Sequence, residues 1–315
     1  MSALDPGAAR VLDLGREAGG KPFEEGTATE ARVAYRQSYL ALQGEKEPVD
    51  AVEERVIEGP RGPIPARLYR GAGAPTTGAP GLLYCHGGGW VIGDLDSHDE
   101  ICRWFANRIG GVVLCPDYRL APEHPFPAGL EDAAAALRFL GASAEALGLD
   151  PARLAVAGDS AGGNLAAVLA LMSGRDGLPT LAAQLLIYPN TDARQGSASM
   201  RRYGEGFGLT ARTMAWFRDQ YVGGEAHLAS DWRVSPLLAP DLAGAPPAFV
   251  ALAGLDILLD EGAAYAERLR EAGVPLRVAH WPDQIHGFVS AGRFIPQARE
   301  AVDQAVAAWR EFETR

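Results

Sequence analysis

From about residue 63 onward, short runs rich in valine, leucine and isoleucine alternate with longer stretches of helical periodicity. Continuous apolar runs read as strands buried on both faces, and the intervening helices supply the covers. The pattern therefore predicts a mostly parallel sheet flanked by helices. Strands are expected at Ala66–Tyr69, Leu82–Cys85, Val112–Cys115, Leu154–Ala157, Gln184–Tyr188, Phe249–Leu252 and Leu276–His280. Helices are expected near 98–109, 128–140, 161–173, 260–272 and 297–312. The last opens at Pro296, suited to a first helical turn, and places Val302, Ala305, Val306 and Trp309 on one face. Residues 71–80 read as an exposed loop between two strands. With 315 residues, no fixed-period repeat and no low-complexity tract, the chain is expected to form one main domain, 1–315.

Two segments stand outside this rhythm. Within 27–43, Ala31, Ala34, Tyr35, Ser38, Tyr39 and Leu42 fall on one helical face. Between Pro189 and about Pro236, aromatic and small residues mix without strand periodicity, which reads as an insertion between two strands. It carries Tyr203, Phe207, Leu209, Met214, Trp216 and Phe217, enough bulk to close over a pocket.

The sharpest local signal is Gly158-Asp159-Ser160-Ala161-Gly162, set between the strand run RLAVA and the helical run AGGNLAAVLALM. A serine at such a strand-to-helix turn stands above the carboxyl end of the sheet, and the flanking glycines remove side chains that would clash. The turn also aims the helix N-terminus at any developing oxyanion. A second signal, His86-Gly87-Gly88-Gly89-Trp90, follows the strand LLYC. Successive glycines let backbone amides approach a ligand, so the oxyanion hole is assigned to the amides of Gly87, Gly88 and Ala161.

A serine hydroxyl needs a base, and imidazole is the usual one. Of six histidines, His286 lies in a loop after a strand, at the sheet edge where Ser160 is expected. His280 falls within that strand and His86 within the glycine loop, while His98, His124 and His227 are read as surface or capping residues. Asp256 follows the strand FVALAG and is the carboxylate expected to orient the imidazole. Asp283 is the second choice, and Asp260 and Glu261 are read as the N-cap and first turn of the next helix.

Composition excludes other chemistries. The net charge of −11 argues against a nucleic-acid partner, and the two lysines, Lys21 and Lys46, sit in neither a phosphate loop nor a Schiff-base setting. Cys85, Cys102 and Cys115 form no CxxC pair, which points to a reducing compartment and against a metal site. No apolar run approaches membrane-helix length, and the N-terminus shows no secretory pattern, so a cytoplasmic protein is expected.

These residues together resemble the hormone-sensitive lipase-like family of α/β-hydrolases, from about Leu82 to His286. The similarity rests on HGGGW, on DYRLAPEHPFPA at 117–128, GDSAGG at 158–163, RVSPLLAPDLAGAPPA at 233–248, LDILLDEG at 255–262 and IHGF at 285–288. The resemblance implies an eight-stranded, mostly parallel sheet and a helical cap from about 1–45 plus 190–232. It also implies hydrolysis of short-chain carboxylic esters without a cofactor, through a triad of Ser160, Asp256 and His286. Expected partners are a small-molecule ester, with no nucleic acid and no membrane span; a homodimer is compatible with the chain. The substrate pocket is expected to include Trp90, Asp159, Tyr188, Phe207, Leu209 and Ile285. One departure stands out: proline usually follows the catalytic aspartate in this family, and Ile257 follows it here. Asp117, Arg119 and Glu123 are read as scaffold. The alternatives are an amidase, deacetylase or lactone hydrolase with the same triad, or a non-catalytic receptor on this fold.

Overall fold

The computed structural model describes residues 3–314. Its core is one eight-stranded sheet of β1 (Ala51–Gly59), β2 (Gly62–Arg70), β3 (Ala79–Cys85), β4 (Val112–Pro116), β5 (Leu149–Asp159), β6 (Ala183–Ile187), β7 (Ala248–Leu255) and β8 (Leu276–Ile285). Spatial order is β1-β2-β4-β3-β5-β6-β7-β8. The β1–β2 and β2–β4 pairs are antiparallel and the remaining pairs parallel. Every residue of β3, β4, β6 and β7 is buried, as continuous apolar runs require of central parallel strands.

The helices are α1 (Pro6–Ala18), α2 (Ala28–Leu42), α3 (Asp99–Ile109), α4 (Ala128–Ala142), α5 (Ala161–Leu171), α6 (Ala198–Tyr203), α7 (Ala211–Tyr221), α8 (Leu259–Glu271) and α9 (Gln297–Glu313). They divide the core in two. Trp104 and Phe105 of α3 join Val302 and Trp309 of α9 in one apolar cluster. Leu137 of α4, Leu165 and Val168 of α5 and Leu269 of α8 join the other. No helix among the described residues is long and apolar enough to cross a membrane.

Four features depart from the sequence reading. The strand β1 was not expected, because Ile57 alone is buried in it and Val56 is 71% exposed. An edge strand with charged residues on both faces carries no hydrophobic alternation to detect. Helix α1, also unexpected, starts with Asp5 accepting from the amides of Gly7 and Ala8. In α2 the buried stripe is narrower than anticipated: Ala31 and Tyr35 are buried, whereas Ala34 and Ser38 face solvent. The loop before β3 is also shorter, since Ala79 and Pro80 already belong to the strand.

Helix α2 is closed at its start by a capping box, with the Glu30 amide donating to Thr27 Oγ1 at 3.2 Å and the Thr27 amide to Glu30 Oε2 at 2.8 Å. Arg32 then anchors it to the body, donating to the carbonyls of Val91 and Ala121 and to both carboxylate oxygens of Glu123. Glu123 thus has the structural role expected of it, as does Arg119, which pairs with buried Asp132. Asp117 is half-buried beside β2. The N-terminal segment and the insertion meet at Phe23 and Phe217, whose ring centres are 6.2 Å apart, and at Thr213, which donates to Glu24.

Glu100 of α3 is 1% exposed; one carboxylate oxygen accepts from the Gly44 amide and the other has no partner among the described residues. Burial pushes its pKa up to about 7, against the lowering effect of the Gly44 bond. The folded chain therefore holds this proton over a pH range where the unfolded chain has released it. That contribution is present below about pH 4.5 and is lost as pH rises towards 7. Urea titrations from pH 5 to 8 are expected to show a smaller decline in unfolding free energy for Glu100→Gln than for wild type. Equal slopes would count against a buried, proton-holding Glu100.

Candidate active site

Ser160 occupies the turn between β5 and α5 with φ 56° and ψ −117°, a conformation that a residue with a Cβ adopts only under constraint. The constraint comes from close packing. A Cβ on Gly158 would strike the backbone of Gly162, and one on Gly162 would strike the carbonyl of Cys85. The turn is further held by the Ser160 amide donating to the Ile187 carbonyl at 2.9 Å.

Three side chains from three strand ends converge here. His286, directly after β8, has Nε2 2.9 Å from Ser160 Oγ, and its Nδ1 is 2.8 Å from Oδ2 of Asp256, directly after β7. Asp256 is buried, and its other oxygen accepts from the Leu258 amide at 2.9 Å. With a carboxylate beside it, Nδ1 carries the proton and Nε2 is left to accept from the serine hydroxyl. Asp283 lies inside β8 and its side chain makes no hydrogen bond to His286, so it does not compete.

Asp260 is not the expected N-cap: it sits with Glu261 in the first turn of α8, and both side chains bond elsewhere. Helix α8 starts at Leu259 with no side-chain cap; Asp260 accepts from the Ser199 amide, and buried Glu261 accepts from the amides of Thr191 and Asp192. These carboxylates tie the entrance of the insertion to the helix that follows Asp256. Burial drives Glu261 well above the usual carboxylate range, although its amide donors act the other way.

The glycine loop after β3 corrects the expected oxyanion donors. The Gly87 amide is already engaged, donating to Asp159 Oδ1 at 3.0 Å and facing His98 Nε2 at 3.2 Å. The amides of Gly88, Gly89 and Ala161 find no acceptor among the described residues. Gly88 and Gly89 have φ of 118° and 59°, and a Cβ on Gly89 would strike the ring of Phe217. The loop therefore turns sharply at two successive glycines whose amides make no hydrogen bond among the described residues. His86 is buried with Nδ1 2.8 Å from the Gly87 carbonyl, which can only accept, so Nδ1 carries its proton. Burial, then neighbouring His98, lowers its pKa to about 4 and keeps it neutral.

Of the anticipated pocket residues, Tyr188 and Ile285 lie beside the triad: the Tyr188 ring centre is 4.8 Å from that of His286, and buried Ile285 precedes His286. Phe207 and Leu209 are half-buried and pack on the apolar cluster that holds α3 and α9. Two do not fit the role. Trp90 is buried with its ring stacked on Tyr221 at 4.2 Å, and Asp159 is buried and bonded to Tyr84 and Gly87. His98, read as a surface or capping residue, does stand at the N-cap position of α3 but is fully buried and makes no side-chain cap bond, whereas His124, His227 and His280 are exposed. Phe217 at Gly89 and Tyr39, whose hydroxyl approaches Gly287, also border the site. Nothing in local sequence marked His98, since its importance depends on Gly87 and Asp159, residues distant from it along the chain.

Comparison with known proteins gives one consistent picture. A family described as alpha/beta hydrolase fold matches residues 82–290. A carboxylic ester hydrolase of Mycobacterium tuberculosis is 39% identical, over 100% of this chain and 84% of its own. An ethyl acetate hydrolase of Pseudomonas putida is 39% identical over 98% of this chain and 99% of its own. Among solved structures, an ester hydrolase from the Lake Arreo metagenome, complexed with a bipyridine phosphonate derivative, superposes with a TM-score of 0.93 at 43% identity. That match covers 98% of this chain and 99% of the other.

Proposed function

This chain belongs to the hormone-sensitive lipase-like branch of the α/β-hydrolase fold family and is a carboxylic ester hydrolase, and from that premise we propose that Ser160, His286 and Asp256 carry its chemistry. The observation behind the assignment is the unbroken hydrogen-bond line from Ser160 Oγ through the imidazole to Asp256, at 2.9 and 2.8 Å. Ser160 Oγ attacks the ester carbonyl carbon while His286 Nε2 takes the hydroxyl proton. The carbonyl oxygen becomes an oxyanion, held by the amides of Gly88, Gly89 and Ala161. The C–O bond to the alcohol breaks as the imidazolium returns its proton to the leaving oxygen, leaving acyl-Ser160. Water then repeats the sequence, with His286 as base, and releases the acid.

The N-terminal segment, about 1–45, and the insertion, about 190–232, form a cap over this site in our reading. Support comes from the aromatic contacts they share at Phe23 and Phe217, and from Phe217 lying against the oxyanion loop at Gly89. Tyr203, Phe207 and Trp216 add bulk around them. A cap of this kind sets a pocket length. Each methylene that fits adds about 0.8 kcal/mol, and the gain ends at the wall. Acyl chains of roughly two to eight carbons are the proposed range, consistent with the ethyl acetate hydrolase among the relatives. Measured kcat/KM for esters from acetate to palmitate is expected to peak within that range. A maximum at long chains with activation at an oil–water interface would replace this reading with a lipase. The cytoplasm is the proposed location, on the strength of three buried cysteines with no disulfide among the described residues.

A further inference from the structure

The oxyanion loop runs through three successive positive φ values, 118°, 59° and 60° at Gly88, Gly89 and Trp90, and at Trp90, which has a Cβ, this conformation is strained. Backbone of this kind persists only where its surroundings dictate it. One restraint is Tyr118, whose hydroxyl donates to the His86 carbonyl at 2.7 Å. The other is a buried carboxylate. Asp159 is 3% exposed, and its Oδ1 accepts from Tyr84 Oη at 2.8 Å and from the Gly87 amide at 3.0 Å. A Cβ on Gly87 would strike Asp159 Oδ2, so the loop is seated directly on this side chain. Asp159 also immediately precedes Ser160, and one residue thereby links the nucleophile's turn to the loop carrying the oxyanion donors.

His98 completes the arrangement. Its Nε2 lies 3.3 Å from Asp159 Oδ1 and 3.2 Å from the Gly87 amide. Its Nδ1 is 3.0 Å from Ser97 Oγ. That hydroxyl gives its one proton to the Asp94 carbonyl at 2.9 Å, so Nδ1 must donate to it. The imidazole is consequently oriented, with Nε2 committed to the Gly87–Asp159 contact. Burial acts to raise the Asp159 pKa, but neighbouring His98, with the bond from Tyr84, holds it below the usual range.

We propose that Asp159 and His98 are positioning residues: by holding the Gly87 amide away from the site, they set the register in which the Gly88 and Gly89 amides converge with that of Ala161 on the oxyanion. This rests on the Ser160–His286–Asp256 reading. Neither residue reaches the ester; both act through the donors they place. Small errors in donor placement cost roughly 10²-fold in rate.

The test compares two substitutions of one residue. His98→Asn keeps a donor for Ser97 but has nothing at the Nε2 position, whereas His98→Gln keeps a polar group there. His98→Asn is expected to lower kcat roughly 10²-fold with KM nearly unchanged, and His98→Gln to recover most of the loss. A trifluoromethyl ketone, which adds to the serine and places an alkoxide in the hole, should lose affinity in proportion to kcat/KM. Asp159→Ala carries the same expectation should His98→Asn not fold, and the double variant should be no worse than the poorer single. The proposal is overturned if a folded His98→Asn or Asp159→Ala keeps kcat and ketone affinity within threefold of wild type. Losses that follow thermal stability, or that fall on KM alone, overturn it equally. Failure of the underlying reading looks different: Ser160→Ala would then stay active, whatever the His98 variants do.

Discussion

Ser160→Ala is expected to lower kcat on a short-chain ester by roughly 10⁵- to 10⁶-fold while leaving the fold intact. The substitution removes the only atom that can form the acyl-enzyme. Gly88, Gly89 and Ala161 would still bind a carbonyl oxygen, but they have no nucleophile to work with. Structural cost should be small. Alanine leaves no cavity at a site that is 8% exposed, and the hydrogen bond lost to His286 is worth about 1 kcal/mol. The strained φ of 56° is present before and after the change. Thermal melts should accordingly shift by only a few degrees. Turnover within tenfold of wild type, on protein with an unchanged melt, would end the assignment of Ser160. His286→Ala should be as damaging, and the double variant no worse than either, because members of a catalytic unit fail together.

Asp256→Asn should lower kcat by about 10⁴-fold with KM little altered. The asparagine amide is nearly isosteric, and its oxygen can still accept from the Leu258 amide as Asp256 Oδ1 does at 2.9 Å. Its nitrogen would then face His286 Nδ1 as a donor. The imidazole is thereby driven to the tautomer protonated at Nε2, which cannot accept the serine proton across the 2.9 Å contact. A second change separates this mechanism from a general charge effect. Asp283→Asn removes the same charge from β8, three residues before His286, without touching the hydrogen-bond line, and should stay within a few-fold of wild type. If Asp283→Asn were the more harmful of the two, the acid would have been misassigned.

Two corrections follow from donors and acceptors meeting across long stretches of chain. Reading Gly87 as an oxyanion donor rested on the correct premise that consecutive glycines expose backbone amides. It failed because Asp159, 72 residues later, already takes that amide. Reading Glu261 as a first-turn residue was right about its place in α8 and incomplete about its partners, which sit 70 residues earlier at Thr191. Both errors concern a polar group whose partner no local pattern identifies.

What the amino-acid sequence determined by itself was everything governed by short range: the alternation of buried strands and helices, the glycines at 158 and 162 that permit the Ser160 turn, and the order serine, aspartate, histidine at strand ends. These are legible because backbone sterics and periodic burial act over a few residues. Tertiary structure alone decided between Asp256 and Asp283 as the partner of His286, which amides remain free, and that His98, at the N-cap position of α3, is buried against Gly87 and Asp159. It also decided where β1 lies, since an exposed edge strand gains its order from pairing with β2 rather than from an apolar face of its own. The physical reason is common to all four: a hydrogen-bond partner or a covered surface is supplied by another segment, and its identity exists only once the chain has folded.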